Sequence, residues 1–121
     1  MKTPKNLISP EQIAAFDAYM IEAQNALNLR DWRIEPSGKP ASKGAFAEVA
    51  ISMEDRLAVY SVGRDWGPAQ ITDKLLKETA LHEVLHVFLK PLMQACYMRD
   101  EQQAETLEHS AIVVLEKLLS Q

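Results

Sequence analysis

The sequence predicts an α+β fold, in which an N-terminal helix precedes a small, mainly antiparallel three-stranded sheet and two further helices. Two observations predict it. Apolar residues recur at helical spacing near the start and in the last third of the chain, whereas short β-branched and aromatic runs separated by turns occupy the middle. The 121 residues suit one domain, 1–121, because a second hydrophobic core would have too little sequence to build it.

The first helix is predicted from about Pro10 to Leu27, because Ser9 is a favourable N-cap and proline suits the first helical turn. A short strand is expected around Trp32 to Ile34. Pro36 is expected to end this strand, and the Gly-, Pro- and Ser-rich residues 36–44 are expected to form a loop.

The middle of the chain predicts a β-hairpin. Residues Ala45–Met53 and Leu57–Val62 contain β-branched and aromatic side chains, and the polar residues 54–56 between them suit a short turn. The stretch 63–68, with glycine and proline, then breaks the pattern.

Two helices are predicted after the hairpin. Thr72 or Asp73 can cap a helix that runs from about Asp73 to Lys90, which Pro91 is expected to end. The last helix is expected from Asp100 onward, because acidic residues in its first turns complement the helix dipole and an apolar face follows. The predicted order is therefore α-β-β-β-α-α.

Charge and composition narrow the function classes. The net charge of -4 and a pI near 5.3 argue against nucleic acid as a partner, because nucleic-acid-binding surfaces concentrate Lys and Arg. No apolar run approaches membrane-spanning length, so no membrane association is expected. The single cysteine, Cys96, cannot form an internal disulfide, and the N-terminus lacks the apolar core of a signal peptide. These features predict a cytoplasmic protein.

The sequence LHEVLHV (residues 81–87) contains an HExxH motif within the second predicted helix. His82 and His86 are four residues apart, so both imidazoles lie on one helix face and can share a metal ion. Zinc favours imidazole nitrogen, and its catalytic sites keep one position open for water. Glu83 could take a proton from that water as general base. Incidental surface histidines are the alternative, but three polar side chains amid apolar neighbours would be costly unless they satisfy one another.

A third metal ligand is expected on the last helix. Glu108 lies 22 residues beyond His86, which leaves room for the chain to turn back. It is also in line with Ile112 and Leu115 on the apolar stripe of that helix, where a carboxylate needs a partner. His109 and Glu105 are the alternatives for this position.

These residues resemble the gluzincins, which are zincin metallopeptidases with an HExxH helix and a downstream glutamate ligand, and in particular their minimal single-domain forms. The chain is also similar to small metallopeptidases encoded by phages and prophages, in which an HExLH helix precedes a short Glu-rich helix. The resemblance covers about Leu75 to Leu119. It implies a minimal zincin-like fold with one Zn²⁺ per chain, Glu83 as general base, and three metal ligands: His82, His86 and Glu108.

The resemblance has two further implications. Larger gluzincins carry an acidic residue three positions after the glutamate ligand, but Ala111 occupies this position here, so support for the ligands must come from elsewhere. In related folds, the strand beside the active-site helix pairs with extended substrate, and by analogy Leu57–Val62 is expected to do so.

Three functions are compatible with the sequence. The first is a zinc-dependent peptidase acting on peptide or unfolded polypeptide, whose specificity could come from a protein partner because the chain is too short for a deep pocket. The second is a non-catalytic interaction protein, such as a phage-encoded modulator of a host factor, with a structural or vestigial metal site. The third is hydrolysis of a non-peptide amide by the same residues. Glu83 favours catalysis, because a structural metal site does not need that carboxylate.

Overall fold

The helices and strands follow the predicted order. The structure, a computed structural model, describes residues 5–97 and 101–119. Its elements are α1 (Pro10–Ala26), β1 (Arg33–Pro40), β2 (Ala47–Ser52), β3 (Leu57–Val62), α2 (Asp73–Tyr97) and α3 (Glu101–Leu119). The predicted α+β class, with its N-terminal helix, small sheet and C-terminal helix, is confirmed.

Side-chain caps fix the starts of the first two helices. The backbone N–H of Gln12 donates to Ser9 Oγ at 3.1 Å, and the Ser9 N–H donates to Gln12 Oε1 at 2.9 Å. This reciprocal pair is a capping box, which satisfies N–H groups that the helix itself leaves free. At α2, the Leu75 N–H donates to Thr72 Oγ1 at 3.1 Å, so Thr72 is the cap. Both helix starts are therefore where the sequence predicts them.

The sheet is mixed, with the strand order β1-β3-β2. β2 and β3 form the predicted antiparallel hairpin, in which Arg56 turns the chain with a φ of 52°. β1 pairs with the other side of β3 in parallel. β3 is therefore the central strand, and β2 is an edge strand.

The prediction that Pro36 ends the first strand is wrong, because β1 continues to Pro40. A proline lacks the N–H that a central strand needs for pairing on both sides, but an edge strand pairs on one side only. The register with β3 shifts between Pro36 and Pro40, which accommodates the irregular backbone. Much of the predicted loop is thus strand.

The prediction that Pro91 ends the second helix is also wrong, because α2 continues to Tyr97. A proline inside a helix costs one backbone hydrogen bond. Apolar contacts on both sides of Pro91 offset this cost: Leu89 and Met93 are buried in one cluster with Ile112 of α3. Tertiary packing therefore outweighs the local preference.

α2 lies between the other elements and buries two of its faces. One face packs into the main core with α1 and the sheet, and the other packs against α3. The residues of α2 in the main core are Leu76, Ala80, Val84 and Val87, and those packed toward α3 are Leu85, Leu89 and Met93. The HExxH residues occupy the remaining sector, which faces β2 and α3.

Candidate metal centre and cleft

The HExxH side chains lie together on α2, as predicted. The ring centroids of His82 and His86 are 5.0 Å apart, and both rings are half-buried. Glu83 is more deeply buried, with 7% of its surface exposed. The helical spacing thus places two imidazoles on one face with a buried carboxylate beside them.

Two carboxylates of α3 contact these histidines. Glu108, only 9% exposed, accepts a hydrogen bond from His86 Nδ1 at 3.3 Å. Glu116, two turns further along α3, accepts one from His82 Nδ1. The expectation that Glu108 is buried beside the HExxH helix is confirmed, whereas sequence reasoning did not single out Glu116. The sequence could have indicated Glu116 by its position two helical turns beyond Glu108.

The alternatives to Glu108 lie further from the histidines or in solvent. The His109 ring centroid is 5.9 Å from that of His86, and the His109 side chain is exposed. Glu105 is exposed as well. Of these three side chains, Glu108 alone combines burial with a hydrogen bond to a motif histidine.

Burial raises the pKa of Glu83 from 4.5 to about 7. The nearby charge of His82 opposes this shift, while the carboxylates of Glu48 and Glu116 add to it. A carboxylate with a pKa near neutrality can accept a proton and release it again at physiological pH. Glu83 thus has the proton affinity of a general base or acid.

Burial lowers the pKa of His86, although the hydrogen bond and charge of Glu108 act in the opposite direction. The charges of His82 and His109 lower it further. A histidine must be neutral to bind a metal ion. Burial thus favours the neutral form of His86, which is the form that binds metal.

The histidines and Glu83 form the floor of an open cleft between β2 and α3. Two cavities of about 360 and 440 Å³ meet there, and both are lined by Ala47, His82 and Glu83. The first extends toward Phe46 and the start of α2, and the second along β2 toward Lys90.

The donor set fits zinc in its chemistry. Because the Nδ1 atoms of His82 and His86 contact carboxylates, their Nε2 atoms are left for a metal ion, as is usual for histidine ligands whose other ring nitrogen is held by a carboxylate. Within residues 5–97 and 101–119, however, no three His, Cys, Asp or Glu side chains are grouped so that they could hold a metal ion. His82 and His86 could supply two ligands, and Glu108 would have to turn from His86 to become the third.

The prediction that β3 pairs with extended substrate is wrong. β3 is hydrogen-bonded to β1 on one side and to β2 on the other, so it has no free edge. β2 borders the cleft and, among residues 5–97 and 101–119, pairs with another strand on one side only. The sequence did not reveal this, because the placement of β1 beside β3 is a long-range pairing.

Tyr60 and the two tryptophans lie outside the cleft. The Tyr60 hydroxyl donates to Asp17 Oδ1 at 2.7 Å, and Trp32 and Trp66 are buried packing residues. The side chain of Cys96 lies outside the described residues.

Comparison with models of known protein families, with curated proteins and with solved structures found no match. Among the helices of the described residues, none is sufficiently long and apolar to cross a membrane. The geometry of the cleft is therefore the basis for a proposed function.

The contact between Glu116 and His82 leads to a testable prediction. Glu116→Gln should weaken zinc binding by about 10- to 100-fold, because a carboxylate orients the imidazole and increases its basicity more than an amide does. Competitive titration with a zinc-binding dye measures the change. Glu105→Gln, an exposed glutamate of the same helix, is the control. Equal affinities for the two variants would exclude this role of Glu116.

The pKa of Glu83 leads to a second prediction, for the metal-free protein. Folded Glu83 binds its proton more tightly than the unfolded chain does, so its contribution to the free energy of unfolding falls as pH rises from about 4.5 to about 7. Relative to Glu83→Gln, the parent should lose on the order of 2 kcal/mol across this window. Urea unfolding of both proteins in chelator, below and above the window, measures this. A stability difference that does not change with pH would contradict the prediction.

Proposed function

We propose that the chain is a zinc-dependent peptidase that hydrolyses bonds in peptides or unfolded polypeptide. One observation carries the proposal: a buried carboxylate, Glu83, lies beside two half-buried imidazoles at the floor of an open cleft. This arrangement combines a base of suitable pKa with nitrogen ligands for a metal ion. The single cysteine supports the further proposal of a cytoplasmic location.

Each residue of the cleft has a distinct role in this proposal. His82, His86 and Glu108 would hold one Zn²⁺ per chain. Zinc, when bound, makes water a better nucleophile and polarises the carbonyl of the bond to be cleaved. Glu83 accepts the proton of the attacking water and passes it to the amine that leaves. Glu116 holds the imidazole of His82 in one orientation.

The edge of β2 supports a polypeptide as the substrate. Unpaired N–H and C=O groups at a strand edge can form main-chain hydrogen bonds with an extended peptide, whatever its side chains. β2 lies along the cleft that contains Glu83, so a peptide paired with it would present a backbone carbonyl to that residue. A folded protein would first have to unfold locally to do this. A protein partner could add the specificity that so small a chain lacks.

The second candidate is a non-catalytic interaction protein on a zincin-like scaffold, for example a phage-encoded modulator of a host factor. One observation favours it: in the described part of the chain, no complete group of three ligands is in place. The burial of Glu83 favours the peptidase, because desolvating a carboxylate destabilises a fold that makes no use of it.

Metal dependence of proteolysis tests the proposal. A fluorescently labelled unfolded polypeptide is incubated with chelator-treated protein and with the same protein after addition of zinc. Cleavage should occur only with zinc, and a Glu83→Gln preparation controls for contaminating proteases. Cleavage that is equal in chelator, or absent with zinc bound, would count against the peptidase.

A further inference from the structure

The two halves of the cleft differ in charge. The smaller cavity, on the Phe46 side of His82, is lined by three carboxylates and by no Lys or Arg among the described residues: Glu78, Glu83 and Glu116. The larger cavity also contains carboxylates, but Lys90 lies among them. The smaller cavity is thus the more favourable position for a positive charge.

Two carboxylates of the smaller cavity, Glu78 and Glu83, are available to a ligand, whereas Glu116 contacts His82. Glu78 contacts Lys74 at 3.8 Å, but this pair is exposed and lies one helical turn apart, so it contributes little and exchanges readily with solvent. Glu83 is more than nine-tenths buried and opens into the cavity, and no described residue donates a hydrogen bond to it. A buried carboxylate without a partner is stabilised by an incoming cation.

The walls of the cavity suit a long aliphatic side chain that ends in a charge. Phe46, Leu75 and Thr79 are half-buried and line the space between the carboxylates. Lys and Arg side chains pack their methylene stems on apolar surface while the charged end reaches polar groups. The volume of about 360 Å³ leaves room for such a side chain beside the histidines.

We infer that this cavity binds the side chain of a Lys or Arg residue next to the bond that is cleaved, so that the preferred substrates are basic polypeptides. Glu78 provides the principal charge, Glu116 adds to the negative potential while it stays hydrogen-bonded to His82, and Phe46 and Leu75 contact the stem. This inference rests on the proposed peptidase function, which it deepens.

Matched peptides test the inference. Fluorogenic peptides that differ at one position, with Lys, norleucine or Glu next to the cleaved bond, should be ranked in that order by kcat/KM. Lys should exceed norleucine by about tenfold, the effect of one hydrogen bond between charged groups. Glu78→Gln should reduce the ratio of Lys to norleucine about threefold, the effect of one partly exposed charge. Glu22→Gln is the control, because Glu22 is an exposed helical glutamate that contacts Lys77 at 3.7 Å and does not line the cavity.

A binding measurement separates failure of this inference from failure of the peptidase proposal. The Lys and norleucine peptides are titrated into ¹⁵N-labelled, metal-free protein, and the amide shifts of residues 78 and 79 are followed. Suppose that no peptide is cleaved, but that the Lys peptide binds more tightly than the norleucine peptide and that added salt reduces this preference. The subsite is then retained and the peptidase is rejected. If peptides are cleaved with no preference for Lys, the subsite is overturned and the peptidase is retained.

Discussion

Glu83→Gln is expected to reduce peptide hydrolysis by about 10²- to 10⁴-fold, the usual contribution of a general base. The amide has nearly the same shape as the carboxylate but cannot accept the proton of water at neutral pH. Because Glu83 is not among the proposed zinc ligands, the variant should bind zinc as tightly as the parent. Steady-state kinetics on one fluorogenic peptide, with zinc content measured on the same samples, tests both parts.

The matched control for this variant is Glu105→Gln, which makes the same chemical change at an exposed position of α3. It should leave both activity and zinc binding at the level of the parent. A Glu83→Gln protein that cleaves as fast as this control would show that the buried carboxylate has no part in the reaction.

His82→Ala is expected to abolish both zinc binding and turnover, because it removes one of the two imidazoles that lie on the cleft floor. The loss of affinity should exceed the roughly 10- to 100-fold expected when only a supporting carboxylate is changed. Competitive zinc titration and a cleavage assay on the same preparation measure the two effects. The melting temperature in chelator shows whether the variant still folds.

His109→Ala is the appropriate comparison, since His109 is an exposed histidine close to the site but outside the proposed ligand set. Its zinc affinity should stay within a few-fold of the parent. If His109→Ala loses zinc and His82→Ala keeps it, the proposed ligand set is wrong.

Local patterns predicted the parts of the fold and of the site that are set by nearby residues. The Ser9 cap and the Thr72 cap depend on side chains within three residues of the N–H groups that they satisfy. The juxtaposition of His82 with His86 follows from helical periodicity alone. The burial of Glu108 followed from the apolar stripe of α3, which needs no knowledge of the other elements.

Features that depend on long-range packing could not be predicted in this way. The continuation of α2 through Pro91 depends on contacts with α3, and that of β1 through Pro36 depends on its position at the sheet edge. The contact between Glu116 and His82 requires the crossing of two helices, 34 residues apart in sequence. β3 has no free edge because β1 pairs with it, and this pairing is long-range.

The zinc content of protein purified without added metal and without a histidine tag tests the central claim most directly. Elemental analysis should find close to one zinc per chain, and Glu108→Ala should lose or weaken it while His109→Ala retains it. A protein that contains no zinc, and takes up none when zinc is added, would contradict the metal centre and leave the interaction protein as the better account.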